Sequence, residues 1–145
     1  MYPIALGFVG GVAAFIYGPA LFAFLEARGW KVTQAYDSVF DVACVTTPFL
    51  FTVYSFVITT ERGFIGRARN SIYFAALVRY SIWAMSLGAT LTVATALVQM
   101  ASVTPKGGDV WSIVSFAIWF ALTLATFAAF YRAARLFIVF AANQR

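Results

Sequence analysis

The sequence predicts an all-α integral membrane protein, folded as an antiparallel bundle of four transmembrane helices. Of its 145 residues, 63% are hydrophobic and only 10% are charged, whereas a soluble domain carries about 25% charged residues. Nearly all charges fall between four uncharged stretches, residues 4–25, 42–60, 80–104 and 110–131. As a helix, each stretch is about 28–37 Å long and can cross a hydrocarbon core of about 30 Å. No polar stretch is long enough for a further domain, so residues 1–145 are predicted to form one domain.

The distribution of basic residues predicts the topology. With four spans, both termini lie on the same side of the membrane. That side receives seven of the 10 Lys and Arg residues: Arg62, Arg67, Arg69, Arg79, Arg132, Arg135 and Arg145. The opposite side receives Arg28, Lys31 and Lys106. Since positive loops stay inside, both termini are predicted to lie on the inner side of a bacterial or mitochondrial inner membrane. Trp30 and Trp111 flank the spans on the outer side, as interfacial belt residues do.

The first span carries one face of small residues. Gly7, Gly11, Ala14 and Gly18 follow one another at helical steps of four, three and four. Gly7 and Gly11 form a GxxxG pair, which lets two helix backbones approach closely. This face is therefore predicted to contact protein rather than lipid.

The second helix is predicted to begin before its uncharged span. Thr33 is a candidate N-cap, which would start the helix near Gln34 and place Tyr36, Asp37 and Asp41 on an exposed turn. Pro48, like Pro19 in the first span, removes a backbone hydrogen bond. The two prolines indicate either static bends or hinges around a site, and static bends are favoured.

The third span carries a stripe of small and polar residues that alternates steps of four and three: Ser81, Met85, Gly88, Thr92, Thr95, Gln99 and Ser102. Such a stripe indicates either helix packing or a neutral polar pathway, and packing is favoured because Ser and Thr bond readily to their own helix backbone. Asn70 or Ser71 is the candidate N-cap of this helix, which is predicted to run to about Val103. Arg79 then lies two turns inside it, within snorkelling reach of the interface.

The fourth span follows a short turn, and Asp109 is its predicted N-cap. The deeper tryptophans, Trp83 and Trp119, are predicted to pack between helices. Arg132 and Arg135 share a face beyond the span, in a tail that could lie in the interface or dock on another subunit. Six basic residues of the inner side are predicted to contact lipid head groups or an acidic partner: Arg62, Arg67, Arg69, Arg79, Arg132 and Arg135.

Missing residue types exclude several chemistries. The chain has no histidine and one cysteine, Cys44. By itself, this chain therefore cannot bind haem or zinc through histidine, use a Ser-His-Asp triad or form an internal disulfide. The four spans hold no ionisable residue of the kind that ion-coupled transporters and proton pumps use. We expect no metal, no cofactor and no enzymatic activity. The basic excess lies at the span ends, which favours anionic lipid over nucleic acid.

These features favour a non-catalytic subunit of a multi-subunit membrane complex, in particular an energy-transducing one of the respiratory, photosynthetic or ATP synthase type. Its partners would be membrane lipids and other membrane subunits, and a hetero-oligomer is favoured over a homo-oligomer. Alanines outside the main stripes, Ala13, Ala20, Ala84 and Ala89, suggest contacts with helices of another chain.

The alternative is a small homo-oligomeric translocator or channel. Phe8-Val9-Gly10-Gly11 in the first span, and Ser55-Phe56 followed by Phe64, resemble GtrA-like proteins. That family consists of small four-span membrane proteins linked to the movement of lipid-linked sugars. Thr59-Thr60 replaces the Asn-Arg pair expected in the family. The resemblance implies a flippase of lipid-linked sugars, or a pore for neutral polar solutes.

Overall fold

The computed structural model describes residues 2–59, 72–104 and 109–142. Those residues form four α-helices and no strand, which confirms the all-α prediction. The helices are α1 (Tyr2–Glu26), α2 (Val32–Thr59), α3 (Ile72–Met100) and α4 (Val110–Ala142). Each is long and apolar enough to cross a membrane. Length and composition therefore indicate an integral membrane protein.

The first and third helices end in the same way. After α1, Trp30 N–H donates to Leu25 O at 3.1 Å and Gly29, at φ 83°, donates to Glu26 O. After α3, Val103 N–H donates to Val98 O at 3.2 Å and Ser102, at φ 50°, donates to Gln99 O. Both are Schellman caps with a left-handed residue after the helix. The cap stops α3 at Met100, before the predicted end near Val103.

The second and fourth helices begin with different caps. Asp109 caps α4 as predicted: its carboxylate accepts from Trp111 N–H at 3.2 Å and from the Ser112 hydroxyl. The prediction for α2 is wrong by two residues, because the helix begins at Val32 and contains Thr33. Instead, the Gln34 side chain accepts a long bond of 3.5 Å from Lys31 N–H, as the third helical residue of a capping box does.

Both internal prolines lie within continuous helices. Pro19 is inside α1 and Pro48 is inside α2, and each helix continues for at least a turn on either side. The Thr52 hydroxyl donates to Pro48 O at 3.0 Å, and the Thr46 hydroxyl donates to Val42 O. The Thr46 and Thr52 hydroxyls thus bond to carbonyls of their own helix, as threonines in apolar helices commonly do. The buried Thr47 hydroxyl, directly before Pro48, has no hydrogen-bond partner among the described residues.

The four helices pack as an open row. Extensive contacts join α1 to α4, α4 to α3, and α3 to α2, while none of that extent joins α1 to α2 among the described residues. Phe22, late in α1, packs on Phe116, early in α4. We call this end of the molecule, which carries Asp37 and Asp109, the acidic end. The opposite end, which carries Arg79, Arg132 and Arg135, is the basic end.

The core consists of three clusters along this row. The largest lies toward the acidic end and draws on all four helices, with Tyr36, Leu91, Phe116 and Trp119 as its large members. A middle cluster of alanines, including Ala84, joins α3 to α4. The third, at the basic end, joins α2 to α3. Trp83 and Trp119 were both predicted to pack between helices. Trp119 does so and is 4% exposed, whereas Trp83 is 55% exposed on the surface of this chain.

Candidate functional site

Trp119 on α4 is the centre of the most polar part of the core. Its indole Nε1–H donates to Thr95 Oγ1 on α3 at 2.9 Å. The Thr95 hydroxyl in turn donates to Leu91 O at 2.7 Å. A threonine hydroxyl has one proton to donate and lone pairs to accept with, so this arrangement satisfies both groups. The fully buried Thr95 therefore links α3 to α4.

Tyr36 extends this cluster to α2. Its ring meets the Trp119 ring edge to face, with 4.6 Å between centroids and an interplanar angle of 88°. Its hydroxyl donates to Val103 O at 3.1 Å, just beyond the end of α3. Tyr36 is 1% exposed, so the prediction that it lies on an exposed turn is wrong. The start of α2 is thereby fastened to both α3 and α4.

Asp37 and Gln99 form the exposed edge of this cluster. Gln99 Nε2 donates to Asp37 Oδ1 at 2.7 Å, which joins α3 to α2 one turn beyond Thr95. Asp37 and Asp41 are exposed, as predicted. We call Tyr36, Asp37, Thr95, Gln99 and Trp119 the acidic-end cluster. No group of three His, Cys, Asp or Glu side chains in the described segments could hold a metal ion. The hydrogen bonds of the cluster join α2 to α3 and α3 to α4 at this end of the molecule.

The small face of α1 lies against α4. A Cβ atom on Gly7 would lie 2.7 Å from Ala121 O, and one on Gly11 would lie 2.9 Å from Ala121 Cβ. Gly18 is looser, since its Cβ would lie 3.7 Å from the Phe116 ring. Ala14 is buried in the largest core cluster. The sequence predicted an interface on this face, and the structure brings α4 of the same chain to it.

The stripe on α3 lies between α2 and α4. Ser81, Gly88 and Thr95 are buried. A Cβ atom on Gly88 would lie 2.9 Å from the Phe130 ring of α4 and would also collide with Thr47 of α2. The Thr92 hydroxyl donates to Gly88 O at 3.0 Å. The stripe thus serves two helix contacts at once, and its two threonine hydroxyls donate within the helix.

Sequence reasoning placed Tyr36 on the surface, whereas the structure buries it, and the hydrogen-bond partner of Trp119 was not predicted. Thr126 is fully buried; it donates to Leu122 O at 2.8 Å and comes within 3.5 Å of Leu87 O on α3. Tyr36 lies among charged residues in the sequence, which resembles a surface segment. A heptad search that also included aromatic hydroxyl and indole groups would have found Tyr36 and Trp119 as possible partners of the α3 stripe.

At the basic end, arginine side chains surround Tyr80. The guanidinium carbon of Arg132 lies 4.5 Å from the Tyr80 ring centroid, and that of Arg79 lies 5.9 Å from it. Arg135 is exposed. These three predicted head-group residues therefore lie at one end of the molecule. The other three, Arg62, Arg67 and Arg69, lie outside the described residues.

Two cavities open on either side of α4 at this end. The α1–α4 groove, of about 740 Å³, is lined by both α4 arginines and by apolar or aromatic residues: Leu6, Ala128, Tyr131, Arg132, Arg135, Leu136 and Val139. The second cavity, of about 180 Å³, lies between α2, α3 and α4 and is lined almost wholly by apolar side chains, among them Val53, Leu77 and Phe137.

Comparison with protein-family models, with curated proteins and with solved structures finds no match. The resemblance to GtrA-like proteins therefore rests on the short motifs in the first two spans alone. The packing and charge of this chain are accordingly the grounds for assigning it a function.

Proposed function

We propose that this chain is a non-catalytic, structural subunit of a multi-subunit membrane complex, of the energy-transducing class. The observation that carries the proposal is the open row of helices. Within the described residues, the most extensive packing of α1 is on α4 and that of α2 is on α3. A closed four-helix bundle would also pack its first helix on its second. The open side offers two helices for contact with other transmembrane chains.

Surplus small residues support this role. Ala84 is buried inside the chain, in the same core cluster as Ala129 and Ala133. Ala13, Ala20 and Ala89 remain exposed on the helix surfaces. Exposed alanines let a neighbouring transmembrane helix approach closely, which favours hetero-oligomeric packing through van der Waals contacts.

The bonding of the interior hydroxyls also favours a structural role over a polar pathway. Thr95, Thr123 and Thr126 are buried, and each donates to the carbonyl four residues before it. A pathway for neutral solutes needs hydroxyl groups that are free to exchange partners with the solute. These three hydroxyls instead donate within their own helices, and those of Thr95 and Thr126 also contact a neighbouring helix.

The orientation belongs to the same proposal: an antiparallel bundle with the basic end, and so both termini, on the inner side. In a Cys44→Ala background, cysteines at Lys31 and Lys106 are expected to react with a membrane-impermeant maleimide added from outside. A cysteine at Arg67 is expected to react only after the membrane is opened. Lys106 and Arg67 lie outside the described residues, and Lys31 is exposed. The reverse labelling pattern would contradict the orientation.

Deletion of the gene tests the role itself. The yield of one larger membrane complex is expected to fall, while the turnover of each complex that still assembles stays unchanged, because a subunit of this kind supplies contacts rather than chemistry. Restoring the wild-type chain should restore the yield. Loss of turnover in fully assembled complexes would contradict the proposal. Movement of ions or lipid-linked sugars by the purified chain in liposomes would favour a translocator instead.

A further inference from the structure

The α1–α4 groove has a large volume, apolar walls and two cationic side chains. Its volume is about 740 Å³, within the range of about 300–1,000 Å³ typical of small-molecule sites. Leu6 forms the α1 wall, and Leu136 and Val139 form part of the α4 wall. Arg132 and Arg135, one helical turn apart, line the same space. An occupant must therefore have both an anionic part and a hydrocarbon part.

The arginines are not neutralised within the described chain. Glu26, Asp37, Asp41 and Asp109 are the acidic residues of the described segments, and all of them lie toward the acidic end. Arg132 instead lies over the ring of Tyr80, with 4.5 Å from its guanidinium carbon to the ring centroid. A guanidinium that lies over an aromatic ring keeps N–H groups at its edge with which it can donate to a phosphate in a two-pronged contact.

We propose that the α1–α4 groove binds one anionic phospholipid, with its phosphate between Arg132 and Arg135 and an acyl chain against Leu6, Leu136 and Val139. Charge complementarity favours this occupant, and so does position. Both arginines lie where the uncharged part of α4 ends, which is the depth at which phosphate groups meet the hydrocarbon core. An acidic protein segment would match the charges but not the apolar walls. This inference does not depend on the proposed subunit role.

Native mass spectrometry of the full chain in detergent micelles tests the site. The probes are phosphatidylglycerol and phosphatidylcholine with identical acyl chains. Wild-type protein is expected to retain one phosphatidylglycerol in preference to phosphatidylcholine. The Arg132→Gln/Arg135→Gln variant should bind phosphatidylglycerol about thirty-fold more weakly, since each arginine near a lipid surface contributes about a factor of five. Its binding of phosphatidylcholine should not change.

Two further variants separate a site from diffuse attraction. Arg28→Gln/Lys31→Gln removes the same charge from the acidic end, where Arg28 lies over Phe24, and should leave lipid retention unchanged. Val139→Trp keeps both arginines and fills the groove from a position that is 43% exposed, so it should weaken retention of phosphatidylglycerol at unchanged helicity. Glycerol phosphate in excess should fail to displace the lipid, because it lacks acyl chains.

Three results would overturn the site. The first is equal lipid retention by wild type and Arg132→Gln/Arg135→Gln. The second is equal weakening by the charge-matched variant at the acidic end. The third is displacement of the lipid by glycerol phosphate together with full retention by Val139→Trp, which would leave the groove without a role.

Discussion

Trp119→Ala is expected to cause the largest loss of stability of any single substitution in this chain. Trp119 is 4% exposed and contacts Tyr36 and Phe116 through its ring. Removal of the indole ring leaves a cavity among three helices. The Thr95 hydroxyl also loses the hydrogen bond that it accepts from the indole N–H. Replacement of a buried Trp by Ala costs about 3–5 kcal/mol. The free energy of unfolding, measured in mixed micelles by circular dichroism as SDS is increased, should fall by that amount.

Trp83→Ala is the matched control for this prediction. It deletes the same side chain from a position on α3 that is 55% exposed. In a micelle that surface meets detergent, so the free energy of unfolding should change by less than about 1 kcal/mol. Equal effects of the two substitutions would contradict the assignment of Trp119 to the core.

Gly11→Leu is expected to have the second-largest effect, because it forces α1 away from α4. A Cβ atom at this position already lies 2.9 Å from Ala121 Cβ and 3.4 Å from Ala117 O. An isobutyl group cannot fit unless the two backbones separate, and overpacking of this kind costs about 1–3 kcal/mol. The midpoint of SDS unfolding should fall, and α1 should become accessible to limited proteolysis before the other helices.

Phe8→Leu serves as the control for the α1–α4 contact. Phe8 lies on α1 one turn from Gly11 but is 71% exposed, and leucine is as apolar as the phenylalanine that it replaces. We expect no measurable change in the unfolding midpoint or in the protease pattern. If Gly11→Leu and Phe8→Leu were equally tolerated, the glycine face of α1 would not be a packing surface.

The spans could be predicted from the sequence because they depend on local composition. Stretches without charge are long enough to cross a membrane, and each overlaps one helix of the structure. Asp109 was predictable for the same reason, since an aspartate before an apolar run caps a helix through its own side chain. The start of α2 was harder to predict. There, the Gln34 side chain makes only a long bond of 3.5 Å to Lys31 N–H, and Thr33 resembles an equally good cap.

The partners of each helix face could not be predicted from the sequence. The steps from Gly7 to Gly18 indicate a packing face, but they do not distinguish α4 of the same chain from a helix of another subunit. Tyr36 shows the same limit. Its surroundings in sequence are polar, yet its burial depends on Trp119 and Val103, which are far along the chain. Trp83 and Trp119 are the same residue type in similar apolar runs, and only the helix packing buries one and leaves the other exposed.

The mass of the assembly that contains this chain tests its proposed role most directly. The tagged full-length chain is extracted from its own membrane in a mild detergent and separated by native electrophoresis, with mass spectrometry of the excised band. A structural subunit is expected to migrate with an assembly many times its mass of 15.9 kDa, together with other membrane proteins in fixed ratio. Migration as a small homo-oligomer without other chains would contradict the role proposed here.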